Sequence, residues 1–234
     1  MRRLLIFLRD PVPGAVKTRL AAALGDQPAC ELYRACVELT LERLGAWRRE
    51  VVLCVDPPEA LGRTRTWLGD GWRMTAQQGR DLGERLAQAT SQAFAEGAAQ
   101  VVVIGTDSPW LRAERLDAAF AALARAEIVL GPTSDGGYYL IGLSHPADPL
   151  FHGIAWGTSS VYPTTRAAAR ALGWSVTVLP MGYDLDHLHD VRRFLDEEIV
   201  QGRDAILLQR IEALSRRREP CLSRTIRRWC MRRT

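Results

Sequence analysis

Of the 31 Lys+Arg residues in this 234-residue chain, all are arginine except Lys17. Lys17 stands in Pro11-Val-Pro-Gly-Ala-Val-Lys-Thr-Arg-Leu20, directly after the apolar run Leu4–Leu8. An apolar run that ends in a Pro/Gly turn (Pro13, Gly14) and then a Lys/Arg-bearing helix start (Lys17, Arg19) is how α/β proteins present phosphate sites. A compact, rotatable ammonium also does there what a planar guanidinium does not. One lysine surviving a general arginine bias is the bland alternative. Position and residue type agree on the phosphate reading.

Carboxylates gather at comparable places. Gln100–Ile104 ends in Gly105-Thr-Asp-Ser-Pro109, where the glycine admits close backbone approach and Asp107 can hold a divalent cation. A strand-end Asp is also a common helix cap or turn residue. In Leu130-Gly-Pro-Thr-Ser-Asp-Gly-Gly-Tyr-Tyr-Leu140, Asp135-Gly136-Gly137 is a turn signal and Tyr138–Leu143 reads as a returning strand. Either Asp135 supports that turn, or it serves as acceptor or base. On the second reading Gly136 and Gly137 bring backbone to a sugar or phosphate, and Tyr138 forms part of a platform. In Gly182-Tyr-Asp-Leu-Asp-His-Leu-His-Asp190, Asp184 and Asp186 are spaced to share a cation's shell, although Asp186 could instead cap a helix beginning near Leu188. His187 and His189 have no cysteine or third histidine nearby and read as surface residues.

These segments need a scaffold that delivers them to one edge. Apolar runs at Leu4–Leu8, Val51–Val55, Val101–Ile104, Ile128–Leu130, Tyr138–Leu143 and Val176–Leu179 alternate with amphipathic stretches at Ala29–Leu44, Leu82–Phe94 and Leu116–Ala124. Such alternation predicts an α/β fold, a mostly parallel central sheet with helices on both faces. Ligands bind such sheets at the carboxyl ends of the strands, just after each apolar run.

Composition agrees with one globular domain, 47% hydrophobic and 25% charged. No apolar run approaches the ~20 residues of a membrane span. The N-terminal apolar stretch is too short for a signal peptide and is broken by Arg9-Asp10. Five cysteines without C-x-x-C spacing argue against a zinc site or a disulfide framework, and for a reducing, cytoplasmic setting. The net charge of +4 is uneven: residues 210–234 hold nine arginines against two glutamates, a net of +7, which leaves −3 for the rest. Residues 1–209 therefore read as the folded domain and 210–234 as an arginine-rich extension. A solvated tail is the favoured reading of that extension, with weak contact to an anionic surface as the other. A nucleic-acid partner is not expected.

Taken together, Arg9–Leu20, Gln78-Gly-Arg-Asp-Leu-Gly-Glu-Arg85, Gly105–Pro109, Leu130–Leu140 and Asp184-Leu-Asp186 resemble the bacterial GT-A-fold proteins provisionally assigned as nucleotide-diphospho-sugar transferases. That former unknown-function group has some members placed in arsenosugar biosynthesis. The resemblance runs from the N-terminus to about Val200. It implies a single GT-A-like, Rossmann-like domain with a nucleotide-binding first half and an acceptor-binding second half. Lys17 and Arg19, in the loop of Pro13 and Gly14, would face the diphosphate, and Gln78 and Asp81 would lie beside the nucleotide. Asp81 and Glu84 also read simply as helix-start residues. Asp107 would contact Mg2+ or Mn2+ where GT-A enzymes carry Asp-x-Asp. Pro109 replaces the second acidic residue of that signature, and Asp186 would help instead.

The activity implied is metal-assisted transfer of a sugar from a nucleotide-diphospho-sugar to a small-molecule acceptor, bound near Gly136, Gly137 and Tyr138, with Asp135 taking the acceptor's proton. The runner-up is a nucleotidyltransferase coupling a nucleoside triphosphate to a small phosphorylated substrate with release of pyrophosphate. The third reading is a non-catalytic nucleotide-binding or interaction module. A P-loop is excluded, since nothing matches G-x-x-x-x-G-K-[ST].

Overall fold

The computed structural model describes residues 1–201, 209–211 and 213–214. The arginine-rich extension expected from residue 210 onward lies outside these residues, apart from 210, 211, 213 and 214. Contacts fall into two units. The first comprises Met1–Asp10 and Val37–Asp184, and the second comprises Pro11–Cys36 and the chain from Leu185 onward.

The first unit holds the sheet: β1 (Arg2–Arg9), β2 (Val51–Asp56), β3 (Arg73–Ala76), β4 (Gln100–Ile104), β5 (Ile128–Pro132), β6 (Tyr138–Leu143) and β7 (Val176–Val178). Their order is β3-β2-β1-β4-β6-β5-β7. All neighbours pair in parallel except β6, which runs antiparallel to both β4 and β5. The expected mostly parallel α/β sheet is therefore present, with one reversed strand. Central β1 and β4 are apolar because both of their faces are covered: Leu4, Leu5, Ile6 and Leu8 are no more than 2% exposed, and Val101–Ile104 no more than 4%. Each such side chain contributes about 1.5–3 kcal/mol by leaving water.

The helices of this unit are α3 (Leu61–Leu68), α4 (Leu82–Ala95), α5 (Ala113–Ala122) and α6 (Val161–Ala171). Helix α4 buries Leu86, Ala87, Thr90 and Ala93 at the three- and four-residue steps of one face, and Leu86, Ala87 and Ala93 join a core cluster that includes Leu5, Val103 and Leu130. Its start follows from sequence. Asp81 caps it by accepting from the Glu84 N–H at 2.9 Å, while Glu84 accepts from the backbone N–H of Arg80 at 2.9 Å. Gly83 lies where a Cβ would meet the Phe151 carbonyl at 2.7 Å, so a 3-10 turn at Asp148–Phe151 can press against the helix.

The second unit contains α1 (Thr18–Leu24) and α7 (Leu188–Gln201), and α2 (Asp26–Arg43) begins in it. Its buried side chains include Leu20, Leu24, Leu32, Val191 and Phe194, each no more than 2% exposed. Helix α7 starts on a reach-back cap. Asp190 Oδ2 accepts from the N–H groups of His187, at 2.7 Å, and Asp186, at 3.2 Å. The cap of α7 is thus Asp190, which leaves the Asp186 carboxylate available for other partners. No helix among the described residues is long and apolar enough to cross a membrane.

Candidate functional site

In the first unit the polar groups collect where parallel strands end. At the tips of β1 and β2, Asp10 is 8% exposed and accepts from Arg63 Nε at 3.1 Å, and Asp56 accepts from Arg85 at 2.9 Å. Gln77, buried just beyond β3, donates its amide to the carbonyls of Cys54, at 2.8 Å, and Leu8, at 3.3 Å, and so ties the two strand ends together. Asp10, Asp56 and Gln77 are not among the residues expected at the site. A carboxylate just after an apolar run marks Asp56 and, one residue further on, Asp10, whereas nothing local marks Gln77.

The next loop carries Gln78 and Asp81. Gly79 has φ +132°, and a Cβ there would sit 2.7 Å from the Arg85 backbone nitrogen, so only glycine lets this turn close on the start of α4. Gln78 is exposed, with its side chain available to a ligand. Asp81 has the structural role of capping α4.

At the tip of β4, Asp107 is half-buried and Ser108 is buried. Ser108 Oγ lies 2.6 Å from Asp184 Oδ1, and the Trp110 indole donates to the Tyr183 carbonyl at 2.6 Å. These bonds bring Asp184 against the segment that bears Asp107, so two carboxylates stand on neighbouring stretches of chain.

The glycine turn between β5 and β6 reaches the same edge, since Leu140 pairs with Ile104 and Tyr138 precedes it along the reversed strand. Asp135 Oδ1 accepts from the Thr133 hydroxyl at 2.6 Å and from the Gly137 N–H at 3.1 Å. This is the turn-supporting geometry expected of an Asp-Gly pair, and Oδ2 lies outside these two bonds. Gly136 has φ +92°, and a Cβ there would fall 2.2 Å from the Ser159 carbonyl oxygen. Its own carbonyl accepts from the Tyr162 N–H at 2.8 Å. Tyr138 turns inward. Its ring packs edge-on against Trp156, and burial pushes its hydroxyl well above the ordinary phenol range. Of the residues expected to receive an acceptor, Gly136 and Gly137 form the turn and Tyr138 packs into the core.

The second unit holds the phosphate-type residues. Pro13 and Gly14 form an exposed turn, closed by the Ala15 N–H on the Val12 carbonyl at 3.0 Å. Lys17 follows in the left-handed region at φ 48°, ψ 45°, and among the described residues it is the one non-glycine with positive φ. A side chain there costs roughly 1 kcal/mol or more, so the surroundings must hold it. The Lys17 ammonium, its side chain only 3% exposed, sits 3.2 Å from Asp186 Oδ1. Arg19 Nη1 sits 2.8 Å from Asp186 Oδ2. One carboxylate thus bridges an ammonium and a guanidinium, and these two cations present the charge and donors that a phosphate group would take. Asp186, expected at a metal, is engaged by Lys17 and Arg19. His187 and His189 stack with ring centroids 5.4 Å apart, and His189 lies 3.0 Å from Asp190. Among the described residues no group of three or more His, Cys, Asp or Glu side chains is placed to hold a metal. The oxygen-only donors at the β4 tip suit a magnesium-type ion, which is commonly held by one or two carboxylates with phosphate and water completing its shell.

The family model described as "Uncharacterized protein conserved in bacteria (DUF2064)" matches residues 40–158. Phosphoenolpyruvate guanylyltransferase of Sphaerobacter thermophilus is 32% identical over 178 residues, which cover 73% of this chain and 82% of that protein. A crystal structure from Desulfovibrio desulfuricans G20, described provisionally as a nucleotide-diphospho-sugar transferase, is 34% identical with a TM-score of 0.81 over 92% of this chain and 96% of that one. The structure of Rv0371C from Mycobacterium tuberculosis H37Rv in complex with manganese is 16% identical with a TM-score of 0.53 over 84% of this chain and 99% of that one, a likeness of fold alone. The architecture is therefore that of nucleotide-sugar-transferase-like proteins, and the chain belongs to the DUF2064 family.

Proposed function

We propose that this chain is a nucleotide-transferring enzyme that couples a nucleoside triphosphate to a small phosphorylated acid and releases pyrophosphate. The observation that carries the reading is Lys17, a nearly buried ammonium in a left-handed backbone conformation, held with Arg19 on the Asp186 carboxylate. In this role Lys17 and Arg19 bind the polyphosphate and stabilise the charge that grows on the departing pyrophosphate. Within the first unit, Asp107 and Asp184 would hold Mg2+ or Mn2+, an ion that neutralises phosphate charge when bound. Gln78, exposed beside the capped start of α4, faces the nucleotide.

The acceptor chemistry favours nucleotidyl over sugar transfer. A phosphorylated acid attacks the α-phosphate through an oxygen that is already anionic: the new P–O bond forms as the bond to the β-phosphate oxygen breaks, and no proton must be removed. A sugar acceptor attacks through a hydroxyl and needs a base. Asp135, the carboxylate of the glycine turn, has Oδ1 committed to Thr133 and Gly137. The name of the Sphaerobacter relative makes GTP and phosphoenolpyruvate the first pair to try.

Sugar transfer is the second reading, favoured by the likeness to the Desulfovibrio structure and by Asp135 Oδ2, which lies outside the two turn bonds. Incubation with each nucleoside triphosphate, phosphorylated acids and Mg2+ or Mn2+ should release pyrophosphate with one nucleotide. Incubation with nucleotide-diphospho-sugars should release no nucleoside diphosphate. The opposite pattern would reverse the assignment.

A further inference from the structure

A buried positive charge at the N-terminal end of β1, away from the strand tips, has no salt-bridge partner among the described residues. Arg3, the second residue of β1, is 4% exposed. Its Nε is buried without a hydrogen-bond partner, and the polar contact its guanidinium makes is Nη2 to the Met1 sulfur at 3.7 Å. Buried arginines are almost always paired, because an uncompensated charge in the interior is strongly destabilising. A thioether is a weak acceptor and carries no charge.

Arg3 lines a cavity of about 140 Å3 between α4 and the sheet face of β1, β2 and β3. The face is set by register: Leu5 pairs with Val52, and Val52 with Arg73, so alternate residues of the three strands point to the same side. The charged groups around the cavity are Arg3, Arg73 and Glu96, and Arg73 is paired with Glu96 at 2.8 Å. That leaves one positive charge without a partner. Leu5, Val52 and Ala93 supply apolar wall.

We infer that this cavity binds a small organic monoanion, a carboxylate with a short apolar tail, whose head pairs with Arg3. Water could satisfy Nε but would leave the charge uncompensated, and an apolar molecule would satisfy neither. A cavity of this size matches one that holds benzene, so it accommodates roughly six heavy atoms, the size of butyrate. The site belongs to the first unit, at the N-terminal end of β1, and does not rest on the transferase reading.

The test uses full-length protein labelled with 15N-arginine, titrated with sodium butyrate at constant ionic strength. The Arg3 Nε–Hε resonance, identified by its absence in Arg3→Met, should shift saturably, and butyrate should raise Tm in the wild type but not in Arg3→Met. Without ligand, Arg3→Met should melt higher than the wild type, since it removes an unpaired buried charge. Inorganic phosphate and chloride at matched ionic strength should leave the resonance in place. A resonance unmoved by butyrate, an equal thermal gain in Arg3→Met, or a response to phosphate alone would overturn the proposal. If Arg3→Met fails to fold, Ala93→Leu fills the cavity and leaves Arg3 in place. It must lose the butyrate response, and keeping it would be equally fatal.

Discussion

Lys17 and Asp186 are 169 residues apart in sequence, yet the ammonium of one lies 3.2 Å from a carboxylate oxygen of the other. The pair joins the loop after β1 to the start of α7 and holds Lys17 in a backbone region that disfavours any side chain. Strain and charge can be separated by substitution. Lys17→Gly and Lys17→Ala both lose the ammonium, but glycine relieves the left-handed strain. Chemical denaturation should find Lys17→Gly more stable than Lys17→Ala by about 1 kcal/mol. Isothermal titration should find nucleotide binding lost equally in both.

Asp186→Asn removes the charge that both cations share. Because Asp186 is itself about a third exposed, the loss should be moderate, about 2 kcal/mol by urea denaturation. Arg19→Ala, which removes the more exposed partner, should cost less than about 1 kcal/mol.

Asp135→Asn keeps an oxygen to accept from Thr133 and Gly137 while removing the charge a base would need. For nucleotidyl transfer to an anionic acceptor, kcat should fall by less than about tenfold. A drop of about a hundredfold or more, the usual loss when a general base is removed, would move the assignment to hydroxyl-accepting sugar transfer.

Gly136→Ala is expected to cost more than about 2 kcal/mol. The new methyl would have to occupy a positive-φ position and overlap the backbone of Ser159. Gly105→Ala, at a glycine with open surroundings at the β4 tip, should stay within about 0.5 kcal/mol. Thermal melts of the two variants give the comparison.

The pH dependence has a definite sign at the start of α4. Glu84 has its carboxyl lowered to about 2, chiefly by the hydrogen bond from the Arg80 side chain and then by that from the Arg80 backbone N–H. A folded-state value below the unfolded one means that this contribution is fully present above about 4.5 and is lost as the pH falls toward 2. Stability measured from pH 5 to pH 2 should therefore fall less steeply in Glu84→Gln than in the wild type. Parallel slopes would show that Glu84 titrates alike in both states.

The strands with all-apolar runs were legible because burial on both faces leaves no other composition open to them. β1, β2, β4, β5 and β6 each contain an expected run, while β7, a half-exposed edge strand, falls within the expected run Val176–Leu179 without being buried on both faces. β3 was not visible: Arg73–Ala76 lies on the sheet edge, half-exposed, and has no apolar run to announce it. Helices α3 and α6 were not visible for a related reason, since their short or alanine- and threonine-rich stretches give few apolar steps, whereas the Pro/Gly turn before Lys17 and Arg19 marked the start of α1. At the site, residue types were readable but partnerships were not. Asp81 and Glu84 could be seen as helix-start residues because capping is local. The ion pair of Asp186 with Lys17 and the bond from Ser108 to Asp184 depend on where the chain returns after more than seventy residues, and spacing says nothing about that. Tyr138 misled because alternation along a strand does not reveal which face is covered.

The reversed direction of β6 has a consequence for how the molecule opens. Leu143 ends beside Val101 and Ile128, at the foot of the sheet, and yet Ser159 is back against Gly136 at its head. The chain from 144 to 160 must climb the whole height of one face, and it leaves Ala147, Leu150 and Phe151 in the core on the way. Lifting that strap would uncover the face and free the glycine turn in a single event. Amide hydrogens of 145–160 and of 133–137 should consequently exchange with solvent together, as one cooperative unit less stable than the strands beneath.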